Sequence, residues 1–206
     1  MPKPLKPPPK DAKARGMMSG ISSGFVPTDA HGYAYQVIAA TSVMDVWRQE
    51  MFTKLLGGSD SVGAAAYLAI NTRGPKTAAI DAAAKNVLGN GDEYRIFKAI
   101  VKAGECLEKF RDQLAHWQEF RSGWPTNGLL LKDPRVTPVR GRAPHAGVFV
   151  FEVDEFKRYI NYAAELSSVQ HRFSSFLDDA RRGWSPTQLA DLDQKLERLA
   201  NLRQQL

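Results

Sequence analysis

DEYRIFKAIVKAGECLEKFRDQLAHWQEFR, residues 92–121, carries the longest uninterrupted helical pattern in the chain. Ile96, Ile100, Ala103, Leu107, Phe110, Leu114 and Trp117 recur in steps of four and three, the spacing that places side chains on one helix face. The pattern predicts a helix over about residues 92–121. The run Gly123-Trp124-Pro125-Thr126-Asn127-Gly128 ends it, because proline and glycine together break a helix.

Working outward from this helix, the upstream chain reads as three more. Tyr33, Val37, Ala40, Met44, Trp47, Met51 and Leu55 predict a first helix over about residues 30–56, stopped by Gly57-Gly58-Ser59. A shorter helix is expected over about 60–71, and a third from Pro75 to the Leu88-Gly89-Asn90-Gly91 break. Downstream, Leu129-Leu130-Leu131 and Val148-Phe149-Val150-Phe151 read as two short strands joined by a loop rich in Pro, Gly and Arg. Phe156, Ile160, Ala163, Leu166, Val169, Phe173 and Leu177 predict a long helix over about 154–182. Ser185-Pro186-Thr187-Gln188 then has a capping serine, a proline at the first helical position and glutamine three residues after the cap. The helix it opens bears a leucine face of Leu189, Leu192, Leu196, Leu199 and Leu206, which packs on its own domain or meets a protein partner. The fold class is therefore mainly α, a bundle of five to six helices with a small inserted β-hairpin at about 129–153.

Residues 1–16 hold Pro2, Pro4, Pro7, Pro8 and Pro9, with Lys3, Lys6, Lys10, Lys13 and Arg15 against Asp11 alone. Proline at this density removes amide donors and fixes φ, so residues 1–27 are expected to form a disordered basic tail and linker before a helical domain at 28–206. The tail holds most of the net charge of +6. It either attracts polyanions through counterion release or keeps the protein dissolved. No run approaches the ~18 apolar residues that span a bilayer, so no membrane is expected as a partner. The sole cysteine, Cys106, cannot form an internal disulfide. It reads as a packed, inert thiol in a reducing compartment, and the expected location is cytoplasmic.

Several chemistries are set aside. His31, His116, His145 and His171 show no metal-ligand spacing, and no phosphate-binding glycine loop or Gly-x-Ser-x-Gly elbow is present. No metal and no cofactor are expected. The exception is Arg111-Asp112-Gln113-Leu114-Ala115-His116. On a wheel of ~100° per residue, Ile100, Ala103, Gly104, Leu107, Leu114 and Ala115 fall within about 80° of Arg111. Arg111 is thus expected in the middle of an apolar stripe, where its permanent charge needs a partner. Asp112 and His116 lie about 100° and 140° away, on the polar side. Two readings follow from the residues: Arg111 makes a structural ion pair at the bundle edge, or these residues form a site.

The hexapeptide resembles the hallmark of the HEPN family of small helical domains: an arginine, a polar residue, and a histidine after four to six intervening residues. The setting is also similar, late in a long helix and after an amphipathic helix bearing Trp47 and Glu50. The resemblance implies metal-independent RNA cleavage in active members, and RNA, nucleotide or protein binding in others. It implies His116 as general acid or base, Arg111 as stabiliser of phosphoryl charge and Asp112 as an orienting group. It further implies a homodimer in which two such helices face each other, the second copy burying the stripe around Arg111. Lys132, Arg135, Arg140 and Arg142 in the connecting loop would hold an RNA backbone, or are simply solvated. Arg140-Gly141-Arg142-Ala143-Pro144-His145 repeats the spacing in a Gly/Pro loop without the polar residue. The alternatives are a non-catalytic module of the same family or an unrelated helical adaptor.

Overall fold

Among the described residues, the apolar spacing of the sequence folds into six helices: α1 Asp29–Leu56, α2 Asp60–Ala69, α3 Arg73–Leu88, α4 Asp92–His116, α5 Val153–Leu177 and α6 Pro186–Arg203. Four strands accompany them: β1 Lys3–Pro4, β2 Gln118–Glu119, β3 Gly128–Lys132 and β4 Val148–Glu152. The computed structural model describes residues 3–4, 29–57, 60–119, 128–136, 147–177 and 184–206. The fold is mainly α, with the expected hairpin present as β3 and β4. The hairpin belongs to a larger antiparallel sheet of order β1-β4-β3-β2. The expectation of a disordered tail over 1–27 lies outside the described residues, apart from Lys3–Pro4, which forms a short strand. No described helix is long and apolar enough to cross a membrane.

Contacts group the chain into two compact units. One comprises residues 1–39, 108–161 and 206, and the other 40–107 and 162–205, so the boundaries fall inside α1, α4 and α5.

The first unit holds the sheet. Leu129 pairs with Phe151 and Leu131 with Phe149 across the β3–β4 ladder, and alternation puts these four on one face. That face packs in a cluster with Ala30, Ala34 and Val37 of α1, Phe110 of α4 and Phe156 of α5. Phe110 is the hub. Its ring stacks on Tyr159 at 3.7 Å and lies 5.6 Å from Phe151 and 5.8 Å from Phe156. The expected helix over 92–121 is shorter, because α4 ends at His116. The Trp117 ring packs 5.2 Å from Phe149 and 5.9 Å from Phe151, which turns the chain into β2. Phe120 and Arg121 lie outside the described residues.

The second unit is a helical core. Met44, Trp47 and Met51 of α1, Ile96, Phe97, Ile100 and Leu107 of α4, and Leu166, Val169 and Phe173 of α5 are buried in it. Two buried polar groups bridge its helices: Trp47 Nε1 donates to the Gln170 carbonyl at 2.9 Å, and the Tyr162 hydroxyl to the Ala103 carbonyl at 2.9 Å. Glu50 accepts from Ser174 Oγ at 3.0 Å. Ser185 caps α6 with the reciprocal bonds of a capping box, Gln188 N to Ser185 Oγ and Ser185 N to Gln188 Oε1. The leucine face of α6 is turned inward. Leu192 and Leu199 are fully buried and Leu189 and Leu196 half-buried, while Leu206 lies beyond the end of α6. Of the two expectations for this face, packing on its own domain matches the burial of Leu192 and Leu199.

Candidate functional site

The candidate site is the last turn and a half of α4, within the first unit. The buried face of α4 shifts along its length. From Ile96 to Leu107 the buried line is Ile96, Phe97, Ile100, Ala103, Gly104 and Leu107. Further on, the inward side chains are Phe110, Leu114 and Trp117, displaced ~60–120° around the helix from Arg111. Arg111 continues the first line past its end and is therefore exposed. This corrects the expectation that Arg111 stands among apolar neighbours needing a second copy to cover them: the stripe from Ile96 to Leu107 is buried within the chain.

Arg111 Nη1 donates to Asp112 Oδ1 at 3.0 Å, and both side chains are 46% exposed. His116, the final residue of α4, is also exposed. Helical geometry orders the groups around the axis as Arg111, Asp112, His116 at about 0°, 100° and 140°. Asp112 and His116 are one turn apart on a common face, and the Arg111 side chain reaches across to Asp112. The arrangement presents a cation, a carboxylate and an imidazole to solvent from one helix end.

Two further contacts lie in the same unit. His31, in the first turn of α1, lies with Nε2 3.5 Å from Glu119 Oε2, the His31 side chain being only 15% exposed. This pair ties α1 to β2 three residues beyond His116, and the distance between His31 and Glu119 in sequence hid it. Lys157 Nζ sits 5.6 Å over the Tyr33 ring.

Two of the four expected loop cations lie among the described residues. Lys132 is half-buried at the end of β3, opposite Gln118 and Val148 in the sheet. Arg135 grips Asp133 through Nε at 2.9 Å and Nη2 at 2.8 Å, while its backbone N–H donates to the same carboxylate at 3.0 Å. The Arg135 guanidinium holds the Asp133 carboxyl below the usual carboxylate range. Arg135 thus closes the turn after β3. Arg140, Arg142 and His145 lie outside the described residues.

In the second unit, a small cleft is lined by Trp47, Arg48, Met51, Asp81, Phe97 and Lys98. Its rim is an ordinary network: Lys98 Nζ and the Tyr94 hydroxyl both donate to Asp81 Oδ1, at 2.8 and 3.0 Å. Cys106 donates to the Ala103 carbonyl at 3.3 Å, and burial pushes its thiol up, which disfavours the nucleophilic thiolate. Among the described residues, no group of three or more His, Cys, Asp or Glu is placed to hold a metal ion. No family model matches the chain, and no match is found among curated proteins or solved structures.

Proposed function

We propose that the chain is a HEPN-like RNA endonuclease that works without metal and acts as a homodimer. The observation that carries this reading is the exposure of Arg111, Asp112 and His116 together at the end of α4, where no apolar packing requires them. In the proposed reaction an RNA 2′-hydroxyl attacks the adjacent phosphate, giving a 2′,3′-cyclic phosphate and a free 5′-hydroxyl. His116 accepts the proton from the attacking hydroxyl or supplies one to the leaving oxygen. Arg111 releases Asp112 and turns its fork to the phosphoryl oxygens, where charge grows in the transition state. Asp112 then orients the His116 ring from one turn away. A second copy would place a second set of the same groups across the scissile phosphate.

One observation favours the non-catalytic reading of the same surface. Arg111 is already neutralised by Asp112 at 3.0 Å. A surface pair of this kind serves equally in a module that only binds RNA or a protein. RNA cleavage in the presence of a chelator, compared between wild type and the Arg111→Lys variant, separates the two. Lysine keeps the charge and loses the bidentate fork, so cleavage falls while RNA retention persists. Equal cleavage by both proteins would refute a role for the fork.

A further inference from the structure

The outer edge of β4 is covered by the chain's own first residues. Lys3 lies opposite Val150 and Pro4 opposite Phe149 in an antiparallel pairing. The strand beneath them has the composition that most needs a cover. Val148, Phe149, Val150 and Phe151 are consecutive strand formers, with Glu152 the first charge. A bare edge of this kind displays a row of unpaired N–H and C=O groups and invites another strand. Lysine and proline are the residue types that close an edge. Pro4 has no N–H, so a further strand cannot continue the ladder there.

The cover is short, and a two-residue strand opens locally at little cost. Its advantage is connectivity. Residues 5–28 join it to α1, so this pairing is intramolecular, whereas a strand from another molecule must compete at its own concentration.

We propose that the outer edge of β4 is a strand-docking site whose resident ligand is the chain's own Lys3–Pro4 segment bound in cis, and that this segment guards the edge against pairing with a second copy. The proposal is independent of any activity at Arg111 and His116.

The test uses the full-length chain with Cys106→Ser and one of two cysteine pairs: Lys3→Cys with Val150→Cys, or Pro4→Cys with Phe149→Cys. Facing residues in an antiparallel ladder lie ~4.5–5.5 Å apart at Cα, within disulfide reach. Mild oxidation is expected to give a disulfide at monomer mass in at least one pair, in a yield independent of protein concentration. Light scattering then compares that locked chain with a full-length Lys3→Gly/Pro4→Gly variant. The glycine variant is expected to self-associate at a lower concentration than the locked chain. No disulfide in either pair, disulfides only between chains, or identical association of the two proteins would each overturn the proposal.

Discussion

Replacing Phe110 and Arg111 by alanine, one at a time, tests the packing of α4 at the candidate site. The residues are adjacent, yet they face opposite environments. Phe110 is 1% exposed and touches Tyr159, Phe151 and Phe156. Phe110→Ala removes a whole buried ring and leaves a cavity between β4 and α5, a change costing roughly 3–5 kcal/mol. For a chain of this size each kcal/mol moves Tm by roughly 2–4 °C, so a fall of about 6–20 °C is expected. Arg111 is half exposed and pairs with its neighbour Asp112. Such a pair is worth roughly 0–1 kcal/mol, so Arg111→Ala should move Tm by no more than about 4 °C. Thermal melts followed by circular dichroism, with urea titrations alongside, measure both. Equal losses in the two variants, or a large loss for Arg111→Ala, would refute the assignment of Arg111 to the surface.

Further outcomes follow from other sites. A Cβ at Gly63 would meet Thr53 Oγ1 at 2.5 Å and the Thr53 Cα at 2.7 Å, so Gly63→Ala should destabilise by roughly 1–3 kcal/mol in urea titrations, outweighing its helix-propensity gain. Gly32→Ala in α1, where the added carbon meets nothing beyond its chain neighbours and the helix's own backbone, should be stabilising by up to ~1 kcal/mol in the same assay. Ser185→Ala breaks the capping box of α6 and should cost about 1 kcal/mol, with Ser185→Thr retaining most of it. Arg135 lowers the Asp133 pKa, so the stability this pair contributes is present above the ordinary carboxylate value of ~3.9 and is lost as pH falls through the lower folded value. The stability gap between wild type and Asp133→Asn should therefore narrow on acidification below about pH 4, as seen in urea titrations at stepped pH.

The helices were legible because their apolar residues repeat at helical spacing and their stops are chemically explicit. Gly57 and Gly89 take the positive φ values, 65° and 71°, that end α1 and α3. The Ser185 box formed as its residues require. The end of α4 was not legible, because Trp117 satisfies the helical repeat as well as it fills the sheet core. Only the contact with Phe149 and Phe151, distant in sequence, decides between them. β2 is Gln-Glu and β1 is Lys-Pro, and neither carries a strand signal; both exist through the neighbours they pair with.

At the candidate site, the wheel placed Arg111, Asp112 and His116 correctly relative to one another. It did not reveal which face of α4 is covered near its end. A wheel assumes one buried direction for a whole helix, whereas the covered side moves from the Leu107 line to the Phe110–Leu114–Trp117 line. The sequence offers Arg135 as an RNA contact or a solvated cation, and only the fold shows that it pairs with the carboxylate two residues away. The His31–Glu119 pair could come only from the fold.

His116→Ala provides the decisive comparison, since His116 is exposed and its removal leaves the core untouched. Purified wild type is incubated with single-stranded RNA in a chelator, and the product ends are analysed. Cleavage to 2′,3′-cyclic phosphate ends is expected, with DNA left intact because it lacks the 2′-hydroxyl. His116→Ala should cut at least ~100-fold more slowly while melting at the same temperature. Intact RNA with wild type, or equal rates for the two proteins, would contradict the assignment of Arg111, Asp112 and His116 as a ribonuclease site.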